Sequence, residues 1–342
     1  MAEGPRAASE AAPSQTDQSF SGHTEPSGFG DKLADCVQRR RSQIVLGLDP
    51  DPARLWPEAL ELAGGIRSRP PATEARSGAP VAERAARAVA AHCRLVLDAV
   101  AEQCVAVKPQ VACFERLGAP GWAALDEVVH DAAQRGLMVI ADAKRGDIDI
   151  SARAYAQAFF GATDTPFGAV DGLGADALTV SPLLGRDSLA PLIEAARDRG
   201  AGLFALVRTS NPGAADIQDR ELAEGGTVSE AVARMIDELG GPGVGQAGLS
   251  DVGAVTGATA PERLEALRAL MPHAVWLLPG IGPQGGSGRD LAPAFAPGPA
   301  GGLVSASRAI VNAFQRGGGG APAARARDEA ARLRELIWGL YA

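Results

Sequence analysis

Asp142, Lys144 and Asp147 fall within six residues of one another. They lie in the run VIADAKRGDIDI (139–150), where an apolar stretch gives way abruptly to charge. Residues two apart on an extended backbone point to the same side, so Asp142 and Lys144 are expected to face one space. Lys108, at the end of another apolar run, can reach that space from the neighbouring strand. Two carboxylates and two ammoniums so placed can tie loops together as a salt-bridge network. They can also hold a lysine charged and ready to deliver a proton. Neighbouring carboxylates favour the charged amine, which suits an acid better than a Schiff-base nucleophile. Lysine usage sharpens the choice. Of 33 basic residues only Lys32, Lys108 and Lys144 are lysines, and the rest are arginines. A lysine in such a chain marks a place where a compact, transferable proton is wanted and a guanidinium fails.

Other polar residues close other apolar runs: Asp49, Ser181, Thr209 with Ser210, the GAT at 257–259, and the SASR at 305–308. Loops are wet, which accounts for about half of these positions but not for two of the three lysines. The segment GIGPQG (280–285) has the spelling of a dinucleotide fingerprint. That reading needs a helix directly after it and an acidic residue about 20 positions on. The following GSGRDLAPAFAPGPAGG is a poor helix, and residue 305 is Ser. The better reading is a glycine-rich loop whose backbone N–H groups cradle one phosphate, with Arg308 adding a charge-assisted fork.

These positions need elements to hold them. Apolar runs at 44–49, 104–109, 137–142, 177–181, 203–209, 252–258, 275–280 and 302–307 read as strands. Helical patterns fall between them at 84–101, 121–135, 150–160, 187–199, 227–239 and 260–270. One more near 30–41 precedes the first strand, and one near 322–341 closes the chain. Eight short apolar strands separated by helices imply a parallel sheet covered on both faces. Eight is also the number that closes a (β/α)8 TIM barrel, whose chemistry sits at the C-terminal ends of its strands. An open doubly wound sheet is the alternative. The expectation is a single-domain α/β barrel over 29–342, with a disordered Ser/Gly/Pro/Ala-rich tail at 1–28. Inserted loops are expected near 65–83 and 212–226.

The net charge of −8 argues against a general nucleic-acid binder. Four scattered cysteines without a CxxC pair, and four histidines without HExxH spacing, argue against a zinc site or a disulfide frame. No apolar run approaches the roughly 20 residues of a membrane span, and the N-terminus lacks the apolar region of a signal peptide. A cytoplasmic protein with no membrane partner is expected.

Taken together, GLDP (47–50), VKPQ (107–110), DAKRGDI (142–148), RTSNPGA (208–214), PGIGPQGG (279–286) and SRAI (307–310) resemble the motifs of the orotidine 5'-phosphate decarboxylase family. They stand in the family's order and look like its longer, type 2 branch. The likeness spans about residues 29–340. The resemblance implies a TIM barrel, a homodimer and no cofactor or metal. The implied reaction takes orotidine 5'-monophosphate to UMP and CO2, the last step of de novo pyrimidine nucleotide synthesis. It implies a charged network of Lys108, Asp142, Lys144 and Asp147, with Lys144 protonating C6. Asp147 and Ile148 would be lent across the dimer interface. Asp49 would bind the ribose hydroxyls and Ser210 the pyrimidine amide edge. Pro279 would line the base site, and Gln284 would bridge base and phosphate. Gly280, Gly282, Gly285 and Arg308 would hold the phosphate. One loop departs from the pattern: TVSPLLG (179–185) stands where TVNPYLG is expected, so Ser181 replaces an asparagine and Leu183 a tyrosine.

Related sugar-phosphate barrels, the hexulose-phosphate synthases and keto-gulonate-phosphate decarboxylases, share a DxKxxD motif but bind Mg2+ through an acidic residue at the end of strand two. Lys108 occupies that place here and would repel the metal. A catalytically dead barrel kept for binding is the rival from another class. Retention of all four charged residues speaks against it.

Overall fold

The computed structural model describes residues 1, 28–64, 79–257, 261–279, 288–316 and 320–340. Most of the expected tail, and most of the insertion near 65–83, lie outside them. Ten strands occur among the described residues. They are β1 (Ile44–Leu48), β2 (Ala106–Pro109), β3 (Met138–Arg145), β4 (Ala162–Thr165), β5 (Gly168–Asp171), β6 (Ala177–Val180), β7 (Gly202–Arg208), β8 (Val252–Thr256), β9 (Trp276–Pro279) and β10 (Gly302–Ala306). Eight of them close a parallel barrel in the order β1-β10-β9-β8-β7-β6-β3-β2. These are the eight runs read from the sequence. β4 and β5 form a separate antiparallel hairpin that the sequence reading missed.

The helices are α1 (Phe29–Arg40), α2 (Pro57–Leu62), α3 (Ala79–Val100), α4 (Val111–Glu115), α5 (Ala119–Gln134), α6 (Asp149–Phe159), α7 (Arg186–Asp198), α8 (Ala214–Ile217), α9 (Val228–Gly240), α10 (Pro261–Leu270), α11 (Arg308–Val311) and α12 (Pro322–Trp338). Two expected boundaries are corrected. Residues 79–83, read as loop, begin α3. The segment 212–226, read as an inserted loop, carries α8.

Strand parity divides the core in two. Val45, Ala106, Ile140, Phe204, Leu277 and Leu303 fill the barrel interior. Their neighbours, such as Leu46, Val107 and Leu278, face the helix ring. Adjacent residues of a strand point to opposite faces, so strands buried on both sides appear as continuous apolar runs. α1 closes the floor of the barrel. Phe29, Leu33 and Val37 recur at four-residue spacing on one helix face and join the inner core. The Phe29 ring meets Phe204 edge-on at 5.9 Å between centroids. Gly202 makes room for it, since a Cβ there would lie 2.6 Å from the Phe29 ring. At the start of α9 the Thr227 side chain accepts from the Glu230 N–H, and the Glu230 carboxylate accepts from the Thr227 N–H. This capping box fixes where the helix begins. Among the described residues, no helix is long and apolar enough to cross a membrane.

Candidate active site

The C-terminal ends of β2 and β3 bring three of the expected charged residues together. Lys108 Nζ donates to Asp142 Oδ2 at 2.5 Å, and Lys144 Nζ donates to Asp142 Oδ1. Lys108 and Asp142 are buried, while Lys144 stands at the surface of the cavity. Burial pushes the Asp142 carboxyl up, but the two lysine charges outweigh it and hold the group below the usual carboxylate value.

Two further residues complete the carboxylate's shell, and the sequence reading gave them no role. Gln110 Nε2 donates to Asp142 Oδ2 at 3.2 Å. The Thr179 hydroxyl donates to Asp142 Oδ1 at 3.0 Å and accepts the Lys144 backbone N–H, also at 3.0 Å. Inward parity with Ala177 on β6 was the available signal for Thr179. A backbone bridge pairs Gln110 with Asp142 directly, a relation that sequence does not display.

Asp142 and Lys144 do converge, but the extended backbone expected between them is corrected. The pairing of β3 with β6 shifts register between Ala141 and Arg145, and Lys144 takes the left-handed conformation with φ 50°. Such a conformation is uncommon for a residue with a long side chain. Arg145, which the motif resemblance leaves without a role, is drawn inward. It pairs with Glu115 of α4 and lies over the Tyr155 ring of α6 at 5.5 Å. Asp149 is exposed at the start of α6 and also left-handed, with φ 48°.

Lys108, Asp142 and Lys144 line a cavity of about 240 Å³ together with Thr179, Ser210 and Pro279. Leu206, Val255 and Leu277 give it an apolar wall. Ser210 is carried by a loop that is itself tied down. Gln218 Oε1 accepts the Thr209 N–H at 2.7 Å, and Asp219 receives both Arg208, at 3.0 Å, and Arg263.

Asp49 and Arg308 line a second, smaller cavity of about 120 Å³ at the ends of β1 and β10, beside His92 and Ser307. Asp147 and Ile148 line neither cavity. Asp147 Oδ1 accepts the Ile148 N–H at 2.8 Å, and Ile148 is exposed. Asp147 forms no ion pair within the chain among the described residues. Gly280, Gly282, Gln284 and Gly285 lie outside the described residues. No group of three or more His, Cys, Asp or Glu side chains is placed to hold a metal ion among those described.

The sequence model for the "Orotidine 5'-phosphate decarboxylase / HUMPS family" matches residues 42–317. The chain belongs to this family. An orotidine 5'-phosphate decarboxylase of Rhodopirellula baltica is 42% identical over 291 residues, covering 84% of this chain and 89% of that protein. One of Deinococcus radiodurans is 45% identical over 244 residues, covering 71% and 83%. Among solved structures, a putative orotidine 5'-phosphate decarboxylase from Streptomyces avermitilis is 32% identical, with a TM-score of 0.68. The match covers 92% of this chain and 96% of that one. Both the described barrel and the Lys108–Asp142–Lys144 cluster fall inside the matched region.

Proposed function

We propose that the chain decarboxylates orotidine 5'-monophosphate to UMP and CO2, the closing step of de novo pyrimidine nucleotide synthesis, as a carboxy-lyase without a cofactor. The observation that carries this reading is one buried carboxylate, Asp142, held by two lysine ammoniums at the floor of a cavity with an apolar wall. Membership of the family and the names of its close relatives supply the substrate.

The bond from C6 to the carboxylate breaks with its electron pair left on C6. That pair lies in the ring plane and finds no π system to enter, so the site must meet it with positive charge. The Lys144 ammonium is the group for this task. It faces C6, offsets the growing charge, and then transfers a proton to form the C6–H bond. Solvent restores the proton to the lysine. Asp142, turned toward the substrate carboxylate, destabilises it relative to the transition state, in which that charge is leaving. Lys108, Thr179 and Gln110 keep Asp142 in place. Ser210 binds the amide edge of the base, and Pro279 borders it. Asp49 takes the ribose hydroxyls.

Arg308 binds the phosphate together with Gly280, Gly282 and Gly285, while Gln284 spans phosphate and base. Phosphate binding far from C6 is then available to drive closure around the substrate. Asp147 and Ile148 line neither cavity of their own chain and suit a neighbouring subunit's site, which makes the working form a homodimer. The sugar-phosphate barrels of the same family need an acidic metal ligand where this chain has Lys108.

The test mixes purified, EDTA-treated protein with the nucleotide and follows loss of the orotate absorbance band. Full turnover is expected, with a loss on the order of 10²- to 10⁴-fold in Lys144→Ala. A Lys144→Ala protein that turns over near the wild-type rate removes lysine as the proton donor. Dependence on added Mg2+ would favour the metal-using branch instead.

A further inference from the structure

The charged residue of DAKRGDI without a role in this chemistry is Arg145. It follows Lys144 directly, yet it points away from the cavity. Its Nη2 pairs with Glu115 at the end of α4, and its Nη1 donates to the Ala143 carbonyl at 3.2 Å. Its guanidinium lies 5.5 Å from the Tyr155 ring centroid and 6.0 Å from that of Phe159, both on α6. The Arg145 carbonyl accepts the Ser181 N–H at 2.8 Å. Gly146 then presses so close that a Cβ there would lie 2.8 Å from the Ser181 carbonyl oxygen. Arg145 is thus fixed from four sides: α4, α6, its own strand and the loop after β6.

Lys144 is the residue that needs such fixing. Its left-handed backbone is the unfavoured one for a side chain of its length, and such conformations persist only where the surroundings over-determine them. On one side, the Lys144 N–H is held by the Thr179 hydroxyl. On the other side stands Arg145. If the register shift between Ala141 and Arg145 relaxed, the residue would pass to the opposite face of the strand, because a one-residue slip in a β-strand exchanges its two faces. The ammonium would leave Asp142 and the cavity. Glu115 also closes the short helix that follows β2, the strand of Lys108. The ion pair therefore ties the loop behind one lysine to the loop behind the other.

We infer that Arg145, anchored by Glu115, is a positioning residue that holds Lys144 on the reacting face of β3. It touches no substrate and acts only through the backbone at 144. The inference rests on the proposed role of Lys144.

The test compares Arg145→Met, Glu115→Gln and the double variant with wild type. A misplacement of about 1 Å can cost on the order of 100-fold in rate, and a loss of about that size in kcat is expected for Arg145→Met, with KM changed only a few-fold. Glu115→Gln should lose less. The double variant should be no worse than Arg145→Met, because both changes remove one device. A kcat within twofold of wild type, a loss confined to KM, or fully additive losses would each overturn the inference. Should Arg145→Met not fold, Glu115→Gln carries the same comparison alone. A crystal structure of the variant decides independently of turnover. Lys144 with negative φ and its ammonium withdrawn from Asp142 supports the inference, and an unchanged Lys144 sinks it. A wild-type protein that releases no CO2 would instead sink the decarboxylase reading, while the crystallographic position of Lys144 in the variant would still decide whether Arg145 holds it.

Discussion

The two ends of the barrel use cations in opposite ways. At the floor, Arg40 and Arg268 gather backbone carbonyls at helix and loop ends. Arg40 donates to the carbonyls of Ala101 and Cys104 before β2, and to those of Arg135 and Gly136 before β3. Arg268 donates to Met271, Pro293, Ala294, Ala274 and Gly301, and its guanidinium lies 4.1 Å from the Trp276 ring centroid. A planar fork with five N–H donors can satisfy several fixed carbonyls at once, which an ammonium cannot match. At the mouth, Lys108 and Lys144 converge on the single carboxylate of Asp142. Floor cations complete the hydrogen bonding of helix and loop ends. The two mouth lysines share one carboxylate, which leaves net positive charge facing the cavity. The contrast fits the proposed division, with stability at one end and chemistry at the other.

The sharpest way to break that division is Asp142→Asn. It removes the one anion that both lysines share, and leaves them facing each other across a partly apolar cavity. Decarboxylation should fall on the order of 10³-fold, in the range of a lost catalytic group. The melting temperature should fall as well, because buried Lys108 loses its counter-charge, so the rate is read on the folded fraction. A variant that keeps its rate but melts far lower would show the mouth cluster to be structural.

Arg268→Met is the mirror experiment. It keeps the apolar stem but strands several buried carbonyls, and each unsatisfied group costs about 1–3 kcal/mol. Unfolding free energy should drop by about 3 kcal/mol or more, read from denaturant titrations, while kcat of the folded fraction stays near wild type. A large loss in kcat with stability intact would place Arg268 on the catalytic side of the comparison.

His92 tests whether the mouth also carries stability. It is buried beside the smaller cavity, its Nδ1 accepts the Trp56 backbone N–H at 3.1 Å, and burial lowers its pKa to about 4. The unfolded imidazole binds a proton near pH 6.5, and the folded one does so only near 4. The unfolded state therefore takes up the proton first as pH falls. The contribution is whole above about pH 6.5 and lost progressively down to about 4, some 3 kcal/mol for a shift of that size. Asp176 works in the opposite sense, since burial raises its carboxyl. The difference between wild type and His92→Asn isolates the imidazole. Stability curves of equal slope in both proteins between pH 6.5 and 4 would exclude it.

What was legible in the sequence followed from burial. Parallel strands covered on both faces announce themselves as apolar runs, so all eight barrel strands were readable. The β4–β5 hairpin was not, because ATDT and GAVD face mostly solvent and have no apolar face to show. Lys108, Asp142 and Lys144 were legible because charge interrupts those runs. Thr179 and Gln110 were not, since a neutral polar residue near a strand end looks like ordinary loop. The left-handed backbone of Lys144 had no local signal. It arises from a register shift against β6, which lies more than 30 residues further along the chain.

Lysine scarcity singled out Lys108 and Lys144, which converge on Asp142, and also Lys32, which does not; there the contrast between floor and mouth gives its smallest and most discriminating prediction. Lys32 sits on α1 at the floor, where Nζ donates to the carbonyls of Arg199 and Gly200 at 3.4 and 3.1 Å. Those groups follow α7 and precede β7, so Lys32 does with one ammonium what Arg40 does with a fork. A role that is only carbonyl satisfaction should accept arginine. Lys32→Arg should keep stability within about 0.5 kcal/mol, as surface changes usually do, and Lys32→Met should cost about 1 kcal/mol, the usual net worth of such bonds. Neither should alter kcat. The same exchange at Lys144 should abolish most activity, because a guanidinium does not give up its proton. If Lys32→Arg instead impairs turnover while Lys144→Arg is tolerated, floor and mouth are not divided as the geometry divides them.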